Sequence, residues 1–178
     1  MDVIAASQSA PIALAYAAAH PDRVRRMVLV NGFSQGSLVR GDVEGTQAMV
    51  ALIRAGGGIA DSPFMKAFTT LFLPEGTAKE IASIVDMQAL SADADGAAAM
   101  RMAVGKIDVT QILSQVKAPV LVLSSQGDAI QPPEQSRLLA RSIPNAEFHS
   151  LHTTSHVIAP SDPVFAEMMD AVDRFLHP

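Results

Sequence analysis

The apolar positions of this chain keep two different periods. Short unbroken runs at residues 3–6, 27–30 and 119–123, and a partly alternating run at 146–151, have the length and content of strands in a buried sheet. Elsewhere apolar residues recur every three or four positions, the period of a helix with one buried face. The first run meets a corner at Ser7 and then a helix through Ala13, Leu14, Ala15, Tyr16, Ala17, Ala18 and Ala19, which His20-Pro21 stops. Strand, helix and strand within about 30 residues make a βαβ unit, which joins two parallel strands.

Residues 34–117 are of another kind. Glycines at 36, 41, 45 and 56–58 punctuate four helical segments. The first, over 43–55, carries Met49, Leu52 and Ile53. Ser62-Pro63 sets an N-cap and a first-turn proline ahead of 64–73. Thr77 and Glu80 have capping-box spacing ahead of Ile81, Ile84, Val85, Met87 and Leu90, and Asp93 can cap a segment through Met100, Met102 and Val104. With no strand pattern between them, these helices read as an insertion lying over the sheet. Their methionines suit a pliable apolar roof over a pocket, but methionines at helical spacing are more simply core, and Phe64, Phe68 and Phe72 are read as structural too.

After the strand at 119–123, Pro132-Pro133 opens a helix over 134–142 with Leu138 and Leu139 on one face. The strand at 146–151 leads into a polar loop, residues 152–156. Ser161 is then read as the cap of a last helix striped by Phe165, Met168, Met169, Val172, Phe175 and Leu176. The order βαβ, helical insert, βαβα predicts an α/β domain with about four parallel strands, a core over 1–33 and 118–178 and an insertion over 34–117.

Composition narrows the function classes. A chain of 178 residues supports one domain with a real core. Its net charge of −5 offers no basic face for nucleic acid, and without cysteine there is no disulfide framework or thiolate metal site. No apolar run approaches the roughly 20 residues that span a bilayer, and no secretory leader is apparent. These features predict a soluble, cytoplasmic protein.

Functional residues of a parallel α/β sheet collect beyond the carboxyl ends of its strands. Ser7 follows the first strand, Asp128 the third and His156 the fourth. A serine hydroxyl becomes nucleophilic when a histidine takes its proton, and that histidine needs a carboxylate to hold its tautomer. Each residue also has a plainer reading: Ser7 as a helix N-cap, Asp128 as a turn residue after Gly127. His149 and His152 compete with His156, but the first lies in the strand pattern and the second barely past its end.

These stretches resemble the carboxyl-terminal half of the α/β-hydrolase superfamily, in its proline-iminopeptidase-like and esterase-like branch. The resemblance runs through Ser7-Gln8, Ala13-Leu14-Ala15-Tyr16, His20-Pro21-Asp22-Arg23-Val24-Arg25-Arg26-Met27-Val28-Leu29, Pro119-Val120-Leu121-Val122-Leu123 to Gly127-Asp128, and the loop to His156. It makes the helical insert the family's cap, most similar to that of hydrolase domains fused to bacterial regulators. It implies a Ser7-His156-Asp128 triad acting on a small ester through an acyl-enzyme, with the Gln8 amide in the oxyanion hole and neither metal nor organic cofactor.

Two departures stand out. The family's elbow is Gly-x-Ser-x-Gly, where this chain has Ala5 and Ser9, a change expected to add about 1 kcal/mol of strain. Full members also carry about four strands before the elbow, and a loop giving a second oxyanion amide; a hole lacking that donor loses about 10²–10³ in rate. This leaves open a catalytically weak ligand-binding domain, or a fragment completed by its other half. It also exposes the first strand as an apolar edge, which predicts a homodimer or larger assembly covering it.

Overall fold

Strands form where the apolar runs fall, and the two central runs need no polar alternation because both their faces are buried. The computed structural model describes residues 1–59 and 62–178. Its sheet holds β1 (Asp2–Ala6), β2 (Arg26–Val30), β3 (Val120–Ser125) and β4 (Ala146–Leu151), in that spatial order and all parallel. Ile4 pairs with Val28, Val28 with Leu121, and Leu123 with His149. Every residue of β3 is buried, and this strand extends through the two serines that follow its apolar run.

The two faces of the sheet carry separate cores. Met27, Leu29, Val120 and Val122 pack against Leu14 of α1 (Ser9–Ala19) and Leu139 of α6 (Pro133–Ser142). Val28, Leu121 and Leu123 pack on the other face against Ala171, Val172 and Phe175 of α7 (Phe165–Leu176). Alternate residues of β2 thus feed opposite cores, as the two-residue period of a strand requires.

Between β2 and β3 the chain makes α2 (Val43–Gly56), α3 (Pro63–Phe72), α4 (Ala78–Ser91) and α5 (Ala94–Gly105), then a 3₁₀ turn at Thr110–Gln115. Their starts are set by local chemistry. The side chains of Asp42, Ser62, Thr77 and Asp93 each accept an amide of the first turn, and Thr77 and Glu80 complete a reciprocal capping box. Val50, Ile53 and Ala98 form a small core of their own, with Met49, Phe64 and Met102 packed on it. The excursion is closed at its base, where Gly36 N–H donates to Ile107 O at 2.8 Å and Val109 N–H to Ser34 O at 2.9 Å.

Two helical expectations differ from the structure. Ser161 does not cap α7; its hydroxyl donates to Glu80 Oε2 at 2.5 Å, and the first turn of α7 is held by Asp162, whose carbonyl accepts Phe165 N–H at 2.9 Å. A serine four residues ahead of a helix is too distant to cap it, and the nearer carboxylate accepts Val164 N–H at 3.1 Å. Met169, placed on the buried stripe of α7, is largely exposed, and Ala171 takes its place in the core. Among the described residues, no helix is long and apolar enough to cross a membrane, and no cluster of His, Asp or Glu could hold a metal ion.

Candidate active site

At the carboxyl end of β1 the chain must turn sharply from strand into helix. Ser7 makes that turn with φ of 52°, in the left-handed region, a conformation costing a non-glycine residue about 1–3 kcal/mol. The corner is held on both sides: Ser7 N–H donates to Val30 O at 2.9 Å, and Ala10 N–H donates to Ser7 O at 3.1 Å. Left-handed backbone strain is not added at the two positions where the family has glycine. Neither Ala5 nor Ser9 has positive φ; Ala5 is buried in β1, and the Ser9 hydroxyl accepts from Ala6 N–H at 2.9 Å and donates to Ala6 O at 2.7 Å. Ser9 therefore braces the corner rather than burdening it. Gln8 follows as the N-cap of α1, with its side-chain amide against Met100 Sδ at 3.5 Å.

Asp128 lies beyond β3 and is buried together with His156. Its Oδ1 accepts Ile130 N–H at 2.8 Å and Gln131 N–H at 3.0 Å, while its Oδ2 lies 2.7 Å from His156 Nδ1. It thus does both jobs the sequence left open, ordering its turn and holding the histidine. Gly127 lets this turn approach the histidine loop, since a Cβ there would stand 2.7 Å from Thr154 Cγ2. A carboxylate can only accept, so His156 Nδ1 carries the proton and Nε2 is left with its lone pair. Nε2 lies 2.8 Å from Ser7 Oγ, which donates to it. The other two histidines are elsewhere: His149 pairs with Glu167 at 2.7 Å and His152 with Gln126 at 3.0 Å.

The His156 loop is fixed by groups that pattern reading passed over. Asn31, at φ of 49° and buried at the end of β2, donates through Nδ2 to His156 O at 2.8 Å and Ser125 Oγ at 3.0 Å. Its Oδ1 accepts Ser125 N–H at 2.7 Å, and Ser125 Oγ in turn donates to Ser155 O at 2.7 Å. From the opposite side, Phe72 O at the end of α3 accepts both His156 N–H and Val157 N–H at 2.9 Å. The Phe72 ring stands edge-on to the imidazole, 5.6 Å between centroids. Asn31-Gly32 was legible as a strand end; its reach across the sheet was not.

Above Ser7 and His156 opens a cavity of about 560 Å³, within the range of small-molecule sites. Its walls are mainly apolar and come from α2 to α5, with Phe64, Phe68, Phe72, Met65, Met87 and Met100 among them. Phe64 stacks on Phe68 at 5.5 Å between centroids, and Phe68 meets Phe72 edge-on at 5.0 Å. They and these methionines line the cavity, beyond the structural role read for them from spacing alone.

Comparison with known proteins agrees with this architecture. The chain is 24% identical over 164 residues to a pyrrolizixenacetamide deacetylase of Xenorhabdus hominickii, covering 90% of this chain and 61% of the relative. It superposes on a thermophilic esterase from Thermogutta terrifontis, solved with malate bound, with TM-score 0.74 at 23% identity, over 99% of this chain and 64% of the other. A bromoperoxidase from Bacillus anthracis gives TM-score 0.79 at 19% identity, over 99% and 67%. The chain thus spans under two thirds of the length of the deacetylase and the esterase. The family model of the alpha/beta hydrolase fold matches residues 2–163, and the chain belongs to that family.

Proposed function

We propose that the chain is a serine hydrolase acting on small acyl esters through Ser7, His156 and Asp128. The observation that carries this reading is the pair of hydrogen bonds from Ser7 Oγ to His156 Nε2 (2.8 Å) and from His156 Nδ1 to Asp128 Oδ2 (2.7 Å). Ser7 Oγ attacks the ester carbonyl as its proton passes to Nε2, and the imidazolium so formed is stabilised by Asp128. The Gln8 amide, first beyond the nucleophile at the amino end of α1, helps hold the oxyanion. The imidazolium then gives its proton to the departing alcohol. Water, deprotonated by His156, releases the acid and restores Ser7. The likeness to a deacetylase and an esterase supports acyl transfer to water as the reaction class.

Turnover of short p-nitrophenyl esters by wild type and Ser7→Ala tests this. Loss of at least about 10³-fold is expected for Ser7→Ala, with stoichiometric fluorophosphonate labelling of wild type at Ser7. Equal rates would remove Ser7 from the mechanism. Folded protein that takes no label would instead favour a ligand-binding domain built on this fold.

A further inference from the structure

Among its described residues, the cavity over Ser7 carries a charge that the acyl-transfer scheme does not use. Arg101, on α5 next to Met100, is the only Lys or Arg among the described residues of the cavity wall, which include no Asp or Glu. Its Nε is buried without a hydrogen-bond partner, and no described carboxylate lies within ion-pair distance of the guanidinium. A buried cationic donor left unpaired is destabilising, and an apolar surround deepens the penalty.

The neighbourhood does not relieve it. Arg40 stands close enough to repel Arg101, and burial holds both guanidiniums below their ordinary range. Arg40 is held by Gln35 O and by Gln131 Oε1, and Gln131 also lines the cavity. Asp42 attracts both arginines, yet its carboxylate caps α2 by accepting Gly45 N–H at 3.1 Å and forms an ion pair with neither. Arg101 thus faces a mainly apolar chamber with Arg40 beside it, and Asp42, the carboxylate that attracts both, is committed to its helix cap.

We infer that Arg101 is an anion-binding subsite of this cavity, and that the preferred substrates carry a carboxylate separate from the scissile acyl group, joined to it by an apolar body. The carboxylate would meet the unpaired guanidinium while the apolar body lies along Phe64, Phe68 and Met87 and the reacting carbonyl rests at Ser7. A guanidinium facing a carboxylate in low dielectric forms the strong, charge-assisted class of hydrogen bond. As a statement about substrates this rests on the hydrolase reading; as a statement about binding it does not.

The experiment separates the two. Calorimetric titration of the protein at neutral pH with hexanoate and with hexan-1-ol, ligands of equal chain length that are not hydrolysed, reads the subsite directly. Wild type is expected to bind hexanoate roughly 10- to 100-fold more tightly. Arg101→Gln should bring that ratio to near one, and Arg101→Lys should restore part of it. Equal affinities in wild type overturn the inference. So does a ratio that survives Arg101→Gln, because the carboxylate would then be sitting at Ser7. Loss of both ligands in Arg101→Gln and Arg101→Lys alike also overturns it, making the guanidinium a support of the fold. A parallel comparison of mono-p-nitrophenyl adipate with its methyl ester reads turnover. If neither ester is hydrolysed while hexanoate keeps its Arg101-dependent preference, the hydrolase reading fails and the anion subsite stands.

Discussion

Asn31 shows how much of the geometry around His156 can hang on one amide. It sits where a strand ends, in a backbone region that asparagine tolerates better than other residues with a side chain. From there it spends its carbonyl on Ser125 N–H and its two N–H groups on Ser125 Oγ, His156 O and, at 3.4 Å, Ser155 O. Asn31→Ala would leave these buried groups unpaired and lose the tolerance for positive φ, a cost of about 2–4 kcal/mol. At roughly 2–4 °C per kcal/mol for a chain of this size, melting should fall by about 5–15 °C. Asn31→Asp is nearly isosteric but sets an oxygen against two backbone carbonyls, so it should be no milder. Both should lower ester turnover in kcat by at least about tenfold, since a 1 Å misplacement of a reacting group is costly. Unchanged melting and turnover in Asn31→Asp would dismiss the residue from that role. The positive φ of Ser7 and that of Asn31 thus fall just past the ends of adjacent strands, one at the corner into α1 and the other where the side chain holds the His156 loop.

Between elements, the helices that roof the cavity are fastened to the histidine loop. Phe72 O takes two amides of that loop, Glu75 accepts from Thr154 Oγ1 at 3.2 Å, and Glu80 joins the start of α4 to Ser161. Glu80 accepts from Ser161 Oγ, Thr77 Oγ1 and Thr77 N–H, and these bonds lower its pKa from 4.5 to about 2. A carboxyl whose folded pKa is depressed contributes stability that is fully present above its unfolded pKa and lost as pH falls through the folded one. The melting difference between wild type and Glu80→Gln should therefore be full at pH 6 and shrink between pH 4.5 and about 2. A difference constant across that window would show that the carboxylate form does not matter. The capping box behind this contact was readable from Thr77 and Glu80, because capping is local chemistry three residues apart. The strand-end placement of Ser7, Asp128 and His156 was likewise legible, since parallel strands bring their carboxyl ends together. Contacts spanning a long stretch of chain, such as Phe72 O with His156 N–H or the Asn31 side chain with the same loop, leave no periodic trace. Ser161 was misassigned for the same reason, its true partner lying 81 positions away in the chain.

At the scale of the molecule, the outer edge of β1 stands open among the described residues. The strand pairs only with β2 among the described strands, so one row of its backbone groups has no sheet partner. Val3 and Ala5 pack inward, whereas Ile4, paired with Val28, belongs to the face of α7 and stays 60% exposed, and Met1 at the start of the strand is exposed too. An open edge with apolar side chains is a template for another strand. We propose that a second copy supplies it. Ile4 is the middle residue of Asp2–Ala6, so a two-fold axis through that point would pair the two β1 strands antiparallel and set Ile4 against its own copy. The sheet would continue across the axis, and each Ile4 would gain an apolar cross-strand neighbour. Light scattering at micromolar concentration should then give about twice the 18.7 kDa chain mass. Ile4→Lys, which puts like charges face to face at the axis, should shift the protein to monomer while leaving the buried sheet cores intact. A wild-type chain that scatters as a monomer would remove self-association as the answer to this edge.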